Sequence, residues 1–412
     1  MKVCVLGLGY IGLPTALLIA QENEVVGVDI NEEVISSLKM GVLPFNEPGL
    51  KELYEAVKDK FNPSTEVVKS DAYLVCVPTP IDEKLRVADL SYVISALKSI
   101  CPVLEKGDLV IVESTIPPGT SERLAIPILE RTGVRAGDFH YAYCPERAIP
   151  GKTLEEMIHN DRVIGALNEH SGRIASNLYG SFVKGDLFIT HHRTAEFVKL
   201  MENTYRDVNI ALANEFAEIA EASGVNVWEA IELANRHPRV DILRPGPGVG
   251  GHCIAVDPWF LTEHYAISRM ISLARDINDS MPNYVMQLIR EMMNDGRELT
   301  ITILGVAYKA NVDDTRETPA RKLIRLAQNE GYQIKVHDPN VKAFEYDLLD
   351  LEEAVRDTDC IVIITDHQVF KEIDPSGLIG LVRSPNVLDC RNVLDEEIWK
   401  EAGFNIRTLG IG

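Results

Sequence analysis

The stretch KVCVLGLGYIG, Lys2–Gly12, together with EVVGVDI, Glu24–Ile30, decides the fold. A run of β-branched and aliphatic residues passes directly into Gly7-Leu8-Gly9-Tyr10-Ile11-Gly12, after which the pattern becomes helical. The second run then delivers Asp29, twenty residues beyond Gly9. In a strand–turn–helix unit such glycines permit a tight turn and let backbone approach a pyrophosphate, whose charge the helix N-terminus stabilises. The acid suits a ribose 2′-hydroxyl and repels a 2′-phosphate, which favours NAD over NADP. A merely tight turn between strand and helix remains the alternative reading of the glycines alone.

Outward from that unit, AYLVCVP and DLVIVES read as further strands with helical patterns between them, as in a parallel sheet covered on both faces. Two proline-rich loops, VCVPTP (Val75–Pro80) and ESTIPPGT (Glu113–Thr120), end strands where an open parallel sheet receives its ligand, unless they are simple loop punctuation. From residue 194 to about 236 the apolar spacing becomes that of long helix, with Gly224 as a stop, and a second helical stretch is expected from about Asp257 to Asn294. Alternation returns in LTITILGVAY, QIKVHDP, CIVIITD and PNVLDC, with PARKLIRLAQNEG as a crossover helix ending at Gly331. The expected architecture is α/β: two Rossmann-like, doubly wound parallel-sheet domains, residues 1–193 and 295–412, joined by a helical region, residues 194–294.

A chain of 412 residues exceeds one ordinary core, and its formal net charge of -21 disfavours a general nucleic-acid binder. A few basic residues in one pocket can still hold a small anion. The early glycines argue against a signal peptide and no apolar run is long enough to span a membrane, so a cytoplasmic location is expected. Seven cysteines with no CxxC pair argue against disulfides and structural zinc, and no metal is expected. Cys4, Cys76, Cys360 and Cys390 lie in apolar strand-like runs and read as small buried hydrophobes.

Cys253 has a different setting, in GPGVGGHCIAVDP, Gly246–Pro258. Glycines at 246, 248, 250 and 251 suggest backbone held close to a ligand, and Asp257 comes within reach if a helix begins after the cysteine. A thiol so placed suits covalent work, with an inert cysteine in a tight turn as the alternative. On the long helix Lys199 and Asn203 are four apart and share a face, where a solvated surface is the ordinary explanation. Combined with NAD, the thiol narrows the chemistry. Hydride transfer from an alcohol needs no nucleophile, whereas an aldehyde releases a second hydride only after something has added to its carbonyl. Thiolate addition regenerates an alkoxide carbon bearing hydrogen, and the second hydride leaves a thioester for water to cleave.

The order GLGYIGLP, VPTP, ESTIPPGT, YCPERAIPG, RTAEFVKLMENTYRDVNIALANE, GPGVGGHCIAVDP and GVAYKANVDDTRETPA resembles, end to end, the nucleotide-diphosphate-sugar 6-dehydrogenases, the UDP-glucose and UDP-N-acetylhexosamine dehydrogenase family. The resemblance implies oxidation of a sugar C6 hydroxyl to a carboxylate with two NAD. It implies Cys253 as nucleophile, Lys199 and Asn203 at the oxyanion, Asp257 and Thr115 positioning a water, and Glu146 as general base, against the alternative of a loop salt bridge from Glu146 to Arg147. Tyr10, Ile11, Pro78, Thr79 and Arg316 would lie on the NAD side with the glycines and Asp29. Arg147, Arg206, Gly250 and Lys309 would meet the sugar nucleotide.

Ala255-Val256 replaces the Pro-Lys common in glucose-oxidising members, and the segment with Arg236, His237 and Arg239 is similar to the UDP-N-acetyl-D-mannosamine branch. That orders the expected substrates as UDP-N-acetyl-D-mannosamine, then UDP-N-acetyl-D-glucosamine, then UDP-glucose. Those basic residues could instead be interface contacts, and Arg244 would reach a neighbouring subunit's site in a homodimer or dimer-based homo-oligomer built on the middle helices. Two other readings stay open: a single-hydride dehydrogenase of the β-hydroxyacid type, and a catalytically silent UDP-sugar sensor.

Overall fold

The computed structural model describes every residue except 83–84, 264, 266 and 294–298, so the expected boundary at 294/295 lies outside the described residues. The chain forms two compact units, Met1–Glu202 with Trp259–Tyr265, and Asn203–Pro258 with Ala266–Gly412.

The first unit is built on strands β1 (Lys2–Leu6), β2 (Glu24–Val28), β3 (Phe61–Ser64), β4 (Ala72–Val75), β5 (Ile81–Asp82), β6 (Val87–Ala88), β7 (Leu109–Val112), β8 (His140–Tyr143), β9 (Arg162–Ala166) and β10 (Leu187–His191). Eight of them form one sheet in the order β10-β9-β8-β7-β4-β1-β2-β3, while β5 and β6 make a small hairpin. Pairing across β1, with Val3 opposite both Val25 and Ala72, is parallel. One departure from an all-parallel sheet occurs where β8 and β9 run antiparallel, Ala142 opposite Ala166.

Strand residues alternate between two cores, as the period of two dictates. Val3, Val5, Leu74 and Ile111 pack with Leu13 and Leu17 of the helix Gly12–Ala20. Cys4, Tyr73, Val110 and Val112 pack with Val93 and Leu97 of the helix Ser91–Ile100. Burial on both faces is why these strands read as unbroken apolar runs. The chain leaves β1 toward β2 and β3 on one side, then crosses to β4 on the other. The loops after β1, β4 and β7 therefore gather at the switch point where such sheets bind ligands.

The second unit holds β11 (Thr300–Leu304), β12 (Gln333–His337), β13 (Cys360–Ile363), β14 (Asn386–Asp389) and β15 (Asn405–Thr408), in the order β12-β11-β13-β14-β15 and parallel throughout. Ile301, Ile303, Val362 and Leu388 pack with Leu323 and Ile324 of the crossover helix Pro319–Asn329. Thr318 caps that helix by accepting from the Ala320 N–H (3.3 Å), Pro319 opens it, and Gly331 comes after its end at φ +89°.

The long helix runs His192–Ala222, and Gly224 at φ +68° stops it before a shorter helix, Val227–Ala234. The helical stretch expected from Asp257 is two helices, Asp257–Thr262 and Arg269–Met292. Neither glycine nor proline marks the interruption, so periodicity reads through it, while Pro282 sits inside the second helix. Among the described residues no helix is long and apolar enough to cross a membrane, and no His, Cys, Asp and Glu cluster could hold a metal.

Candidate active site

In the first unit the three glycines of the opening turn have three different surroundings. Gly7 lies at φ +92°, and a Cβ there would fall 2.6 Å from the Cys76 carbonyl oxygen. A Cβ at Gly12 would fall 1.9 Å from the Gly7 carbonyl oxygen, so the helix closes on the turn only without a side chain. A Cβ at Gly9 would meet nothing within 4 Å, leaving open space in front of its backbone. Asp29 is half-buried, accepting the Leu8 N–H through Oδ2 (2.9 Å) and the Asn31 N–H through Oδ1 (2.9 Å).

Tyr10 stacks on Phe45 with centroids 4.3 Å apart, and Ile11 caps the helix half-buried. In the loop after β4, Pro78 is exposed while the Thr79 hydroxyl is buried without a hydrogen-bond partner. Thr115 is half-buried in the loop after β7. An open backbone approach, an acid at the neighbouring strand end and an orphaned hydroxyl fit a dinucleotide.

Glu146 is buried just beyond β8, its Oε1 accepting the Arg147 and Ala148 N–H groups (2.6 and 2.8 Å). Its Oε2 pairs with Arg162 at 2.5 Å, not with the Arg147 side chain. Arg147 pairs with Glu202 at 2.6 Å, which overturns the Glu146–Arg147 bridge weighed from sequence. Arg162 opens the buried strand β9, with its guanidinium 4.7 Å over the Tyr179 ring and 3.7 Å from Glu113. A charged residue heading an apolar strand is the one sequence signal that could have found it. Burial raises the Glu113 carboxyl above the usual range, against the pull of Arg162, and it accepts from the Tyr179 hydroxyl at 2.5 Å. Lys199 is buried and donates from Nζ to the Glu146 carbonyl oxygen at 2.8 Å, so these two site residues meet across 53 positions of sequence.

In the second unit the glycine loop bearing Cys253 is pressed against its own unit. A Cβ at Gly246 would lie 2.4 Å from Arg391 Nη1, one at Gly248 3.1 Å from the Asn278 carbonyl, and one at Gly250 2.7 Å from the Glu317 carbonyl. Gly251, at φ +84°, would meet the Tyr308 ring at 2.8 Å, and its N–H donates to the Arg316 carbonyl at 2.9 Å. The close approach inferred from these glycines is thus to neighbouring protein, which corrects the expectation of backbone against ligand. Asn214 Oδ1 anchors the start of the loop by accepting the Gly246 N–H at 2.9 Å. Asn278 holds Asn214 in turn, also at 2.9 Å. Sequence reasoning missed Arg391, Asn214 and Asn278, whose only signal is polar character within apolar surroundings.

The result is a rigid platform with an exposed sulfur. Cys253 is exposed, whereas the other six cysteines are buried or half-buried. Burial lifts the Cys4 and Cys144 thiols to about 11 and holds them protonated. The Asp257 N–H donates to the Cys253 carbonyl at 2.8 Å, the turn that carries the acid round to the cysteine's side. Asn203 Nδ2 donates to Asp257 Oδ2, and Arg206 Nη2 donates to Asn203 Oδ1. Beside the thiol, burial and then the Arg316 charge lower the His252 imidazole, favouring its neutral form.

Lys309 and Arg244 are exposed, and the Arg316 guanidinium pairs with Asp314 at 2.6 Å. Arg236, His237 and Arg239 are exposed at the end of the helix Val227–Ala234: Arg236 pairs with Glu232 at 3.1 Å, and Arg239 with His237 at 3.4 Å.

The glycine turn and acid of the first unit fit a dinucleotide, and the second unit presents an exposed thiol on a glycine platform. Three family models match in chain order, all of the UDP-glucose/GDP-mannose dehydrogenase family: the NAD binding domain at residues 1–183, the central domain at 193–280 and the UDP binding domain at 302–396. The chain is 46% identical over 422 aligned residues to a UDP-N-acetyl-D-mannosamine dehydrogenase of Methanococcus maripaludis, covering all of this chain and 97% of the relative. The solved structure of a UDP-D-ManNAc dehydrogenase from Pyrococcus horikoshii is similar at TM-score 0.95 and 44% identity, covering 100% of both chains. That of a UDP-N-acetyl-mannosamine dehydrogenase from Staphylococcus aureus is similar at TM-score 0.89 and 40% identity, covering 100% of this chain and 98% of that one. The chain belongs to the UDP-glucose/GDP-mannose dehydrogenase family. It is an NAD-dependent dehydrogenase whose substrate class is UDP-sugars.

Proposed function

We propose that the chain oxidises the C6 hydroxyl of UDP-N-acetyl-D-mannosamine to the carboxylate, with Cys253 as covalent nucleophile and two NAD consumed per sugar. The observation that carries this reading is the exposed Cys253 on a platform of close-packed glycines, one turn before an aspartate held by Asn203. Support for the sugar comes from the names of the relatives and from Ala255-Val256 beside the site.

NAD, held by Gly7, Gly9, Gly12 and Asp29 with Thr79 and Thr115, supplies a hydride acceptor for each oxidation. In the first, Asp257 and a water ordered with Thr115 take the hydroxyl proton as C6 becomes an aldehyde. Cys253 Sγ then adds to C6, forming a C–S bond, while Lys199 and Asn203 stabilise the oxyanion. Loss of the second hydride leaves a thioester on Cys253. Glu146 takes a proton from water as that water attacks C6, the C–S bond breaks, and the acid leaves with the thiol regenerated.

Lys309, Arg206 and Arg147 meet the sugar nucleotide, Arg316 faces the NAD side, and Arg236, His237 and Arg239 recognise the N-acetylhexosamine. The chain then divides into three functional segments, residues 1–193 for NAD, 194–294 for dimerisation and catalysis, and 295–412 for UDP. Phe197, Met201, Tyr205, Leu212, Phe216 and Ile219 are exposed at helical spacing along His192–Ala222, which supports a homodimer on this helix with Arg244 serving the neighbouring subunit's site. The enzyme is placed in the cytoplasm, where NAD and UDP-sugars are available.

Incubating the protein and NAD with UDP-N-acetyl-D-mannosamine, UDP-N-acetyl-D-glucosamine and UDP-glucose separately tests the reading through NADH absorbance and product analysis. Two NADH per UDP-N-acetyl-D-mannosamine, with acid as product, is expected. Preference for either other sugar overturns the substrate. One NADH with a stable carbonyl product overturns the chemistry, and binding without NADH overturns the enzyme.

A further inference from the structure

At the ends of β11, β12 and β13, a buried histidine joins three segments of the second unit. Asp338, just past β12, has a fully buried carboxylate whose Oδ2 accepts the Val306 and Ala307 N–H groups at 2.7 and 3.0 Å. The same oxygen lies 3.1 Å from His367 Nε2, and the imidazole is fully buried too. On the other side of the ring, the Asn311 backbone N–H meets Nδ1 at 2.9 Å and Asn340 Nδ2 meets it at 2.7 Å. A backbone N–H can only donate, so Nδ1 is the acceptor and the ring proton sits on Nε2, directed at Asp338.

The segment these bonds hold runs from Gly305 to Asn311 and includes Lys309. It is tied at both ends. At its start Asp338 holds Val306 and Ala307, and Thr365 Oγ1 donates to the Ala307 carbonyl at 2.6 Å. At its end Asn311 sits at φ +61°, a left-handed conformation, and makes two bonds: its N–H donates to His367, and its Oδ1 accepts the Gln368 N–H at 3.0 Å. Lys309 lies exposed between the two ties, outside any strand or helix, next to Tyr308, whose N–H donates to the Asp314 carbonyl at 2.9 Å.

We infer that His367 is a positioning residue for UDP-sugar binding, fixing the far end of the Lys309 loop through its Nδ1. This rests on the reading of Lys309 as a contact for the UDP-sugar. The two ring nitrogens can be separated by substitution, because glutamine places an N–H donor near the position of Nε2 and asparagine places an oxygen acceptor near that of Nδ1. His367→Gln keeps the bond to Asp338 and loses the acceptor for Asn311, whereas His367→Asn keeps the acceptor.

The test is steady-state kinetics of both variants and of Lys309→Gln with UDP-N-acetyl-D-mannosamine and NAD, alongside thermal unfolding. His367→Gln raises KM for the UDP-sugar by about tenfold, the scale expected when a buried donor loses its acceptor, with kcat and KM for NAD within about twofold of wild type. His367→Asn recovers KM to within about threefold. A His367→Gln enzyme with unchanged KM for the UDP-sugar overturns the inference. So do two variants that lose stability and kcat alike with no change in KM, because that is a packing role only. Lys309→Gln with unchanged KM instead overturns the reading of Lys309, and leaves the His367 comparison to stand on its own numbers.

Discussion

At the end of β1 the chain turns at Gly7, φ +92°, and at the end of β11 it turns at Gly305, φ +88°. In each case the acid that closes the neighbouring parallel strand, Asp29 or Asp338, accepts N–H groups from the turn. The two turns then diverge. After Gly7 come Gly9, with open space before it, and a half-buried Asp29. After Gly305 come the buried Ala307 and an Asp338 enclosed with His367. One turn leaves its backbone and acid available to a ligand. The other commits its acid to internal bonding and leaves the exposed Lys309 further along the loop, the residue proposed above to meet the UDP-sugar. The same strand-end glycine thus leaves open backbone in one unit and an enclosed acid in the other, depending on the residues that succeed it.

The largest effect that would break this comparison is at Gly12. Gly12→Ala forces a backbone shift against the Gly7 carbonyl and is expected to cost about 3 kcal/mol or more in chemical denaturation. Gly9→Ala, with nothing in the way, is expected to change stability by less than about 1 kcal/mol while weakening NAD binding by about tenfold or more, read by calorimetry. Equal losses of stability in the two variants would contradict the separate roles assigned to these glycines.

A smaller effect belongs to Asp29. Asp29→Asn is expected to raise KM for NAD by about tenfold and to leave KM for the UDP-sugar unaltered. The smallest concerns acid stability. Burial alone would raise the Asp338 carboxyl, yet the His367 bond and the N–H groups of Val306 and Asn340 outweigh it and hold the carboxyl down from 3.8 to about 2. A depressed folded-state value contributes stability that is complete above about pH 4 and is lost as pH falls through about 2. Thermal unfolding from pH 5 to 2 should show this decline in wild type and a flatter one in Asp338→Asn.

Legibility in the sequence tracks the range of the interactions involved. The first turn was legible because its parts, a strand, three glycines and an acid, are local and fixed in spacing. β1, β2, β4, β7, β11, β13 and β14 were legible as apolar runs, whereas β3, β9 and β10, which carry a proline, an arginine and a mostly solvent-facing pattern, were not, nor were β8 and β15, four residues each with polar residues among the apolar ones. Arg162 escaped because its meaning lies in two carboxylates brought to it by folding. The glycines before Cys253 were recognised as a platform but assigned the wrong neighbour, since sequence cannot distinguish backbone pressed on a ligand from backbone pressed on Tyr308 and Glu317. The break before Arg269 carries neither glycine nor proline, and the antiparallel β8–β9 pair, with Tyr143 opposite Gly165, turns on a pairing direction that the residue pattern does not encode.

The central claim is that Cys253 bonds covalently to the half-oxidised sugar, and it can be read directly from the protein's mass. Slowing hydrolysis with Glu146→Gln, quenching in acid during turnover of UDP-N-acetyl-D-mannosamine with NAD, and mapping peptides should reveal the sugar-nucleotide acyl group on the Gly246–Pro258 segment at Cys253. An unmodified Cys253 in an enzyme that still forms two NADH for each sugar would contradict the account.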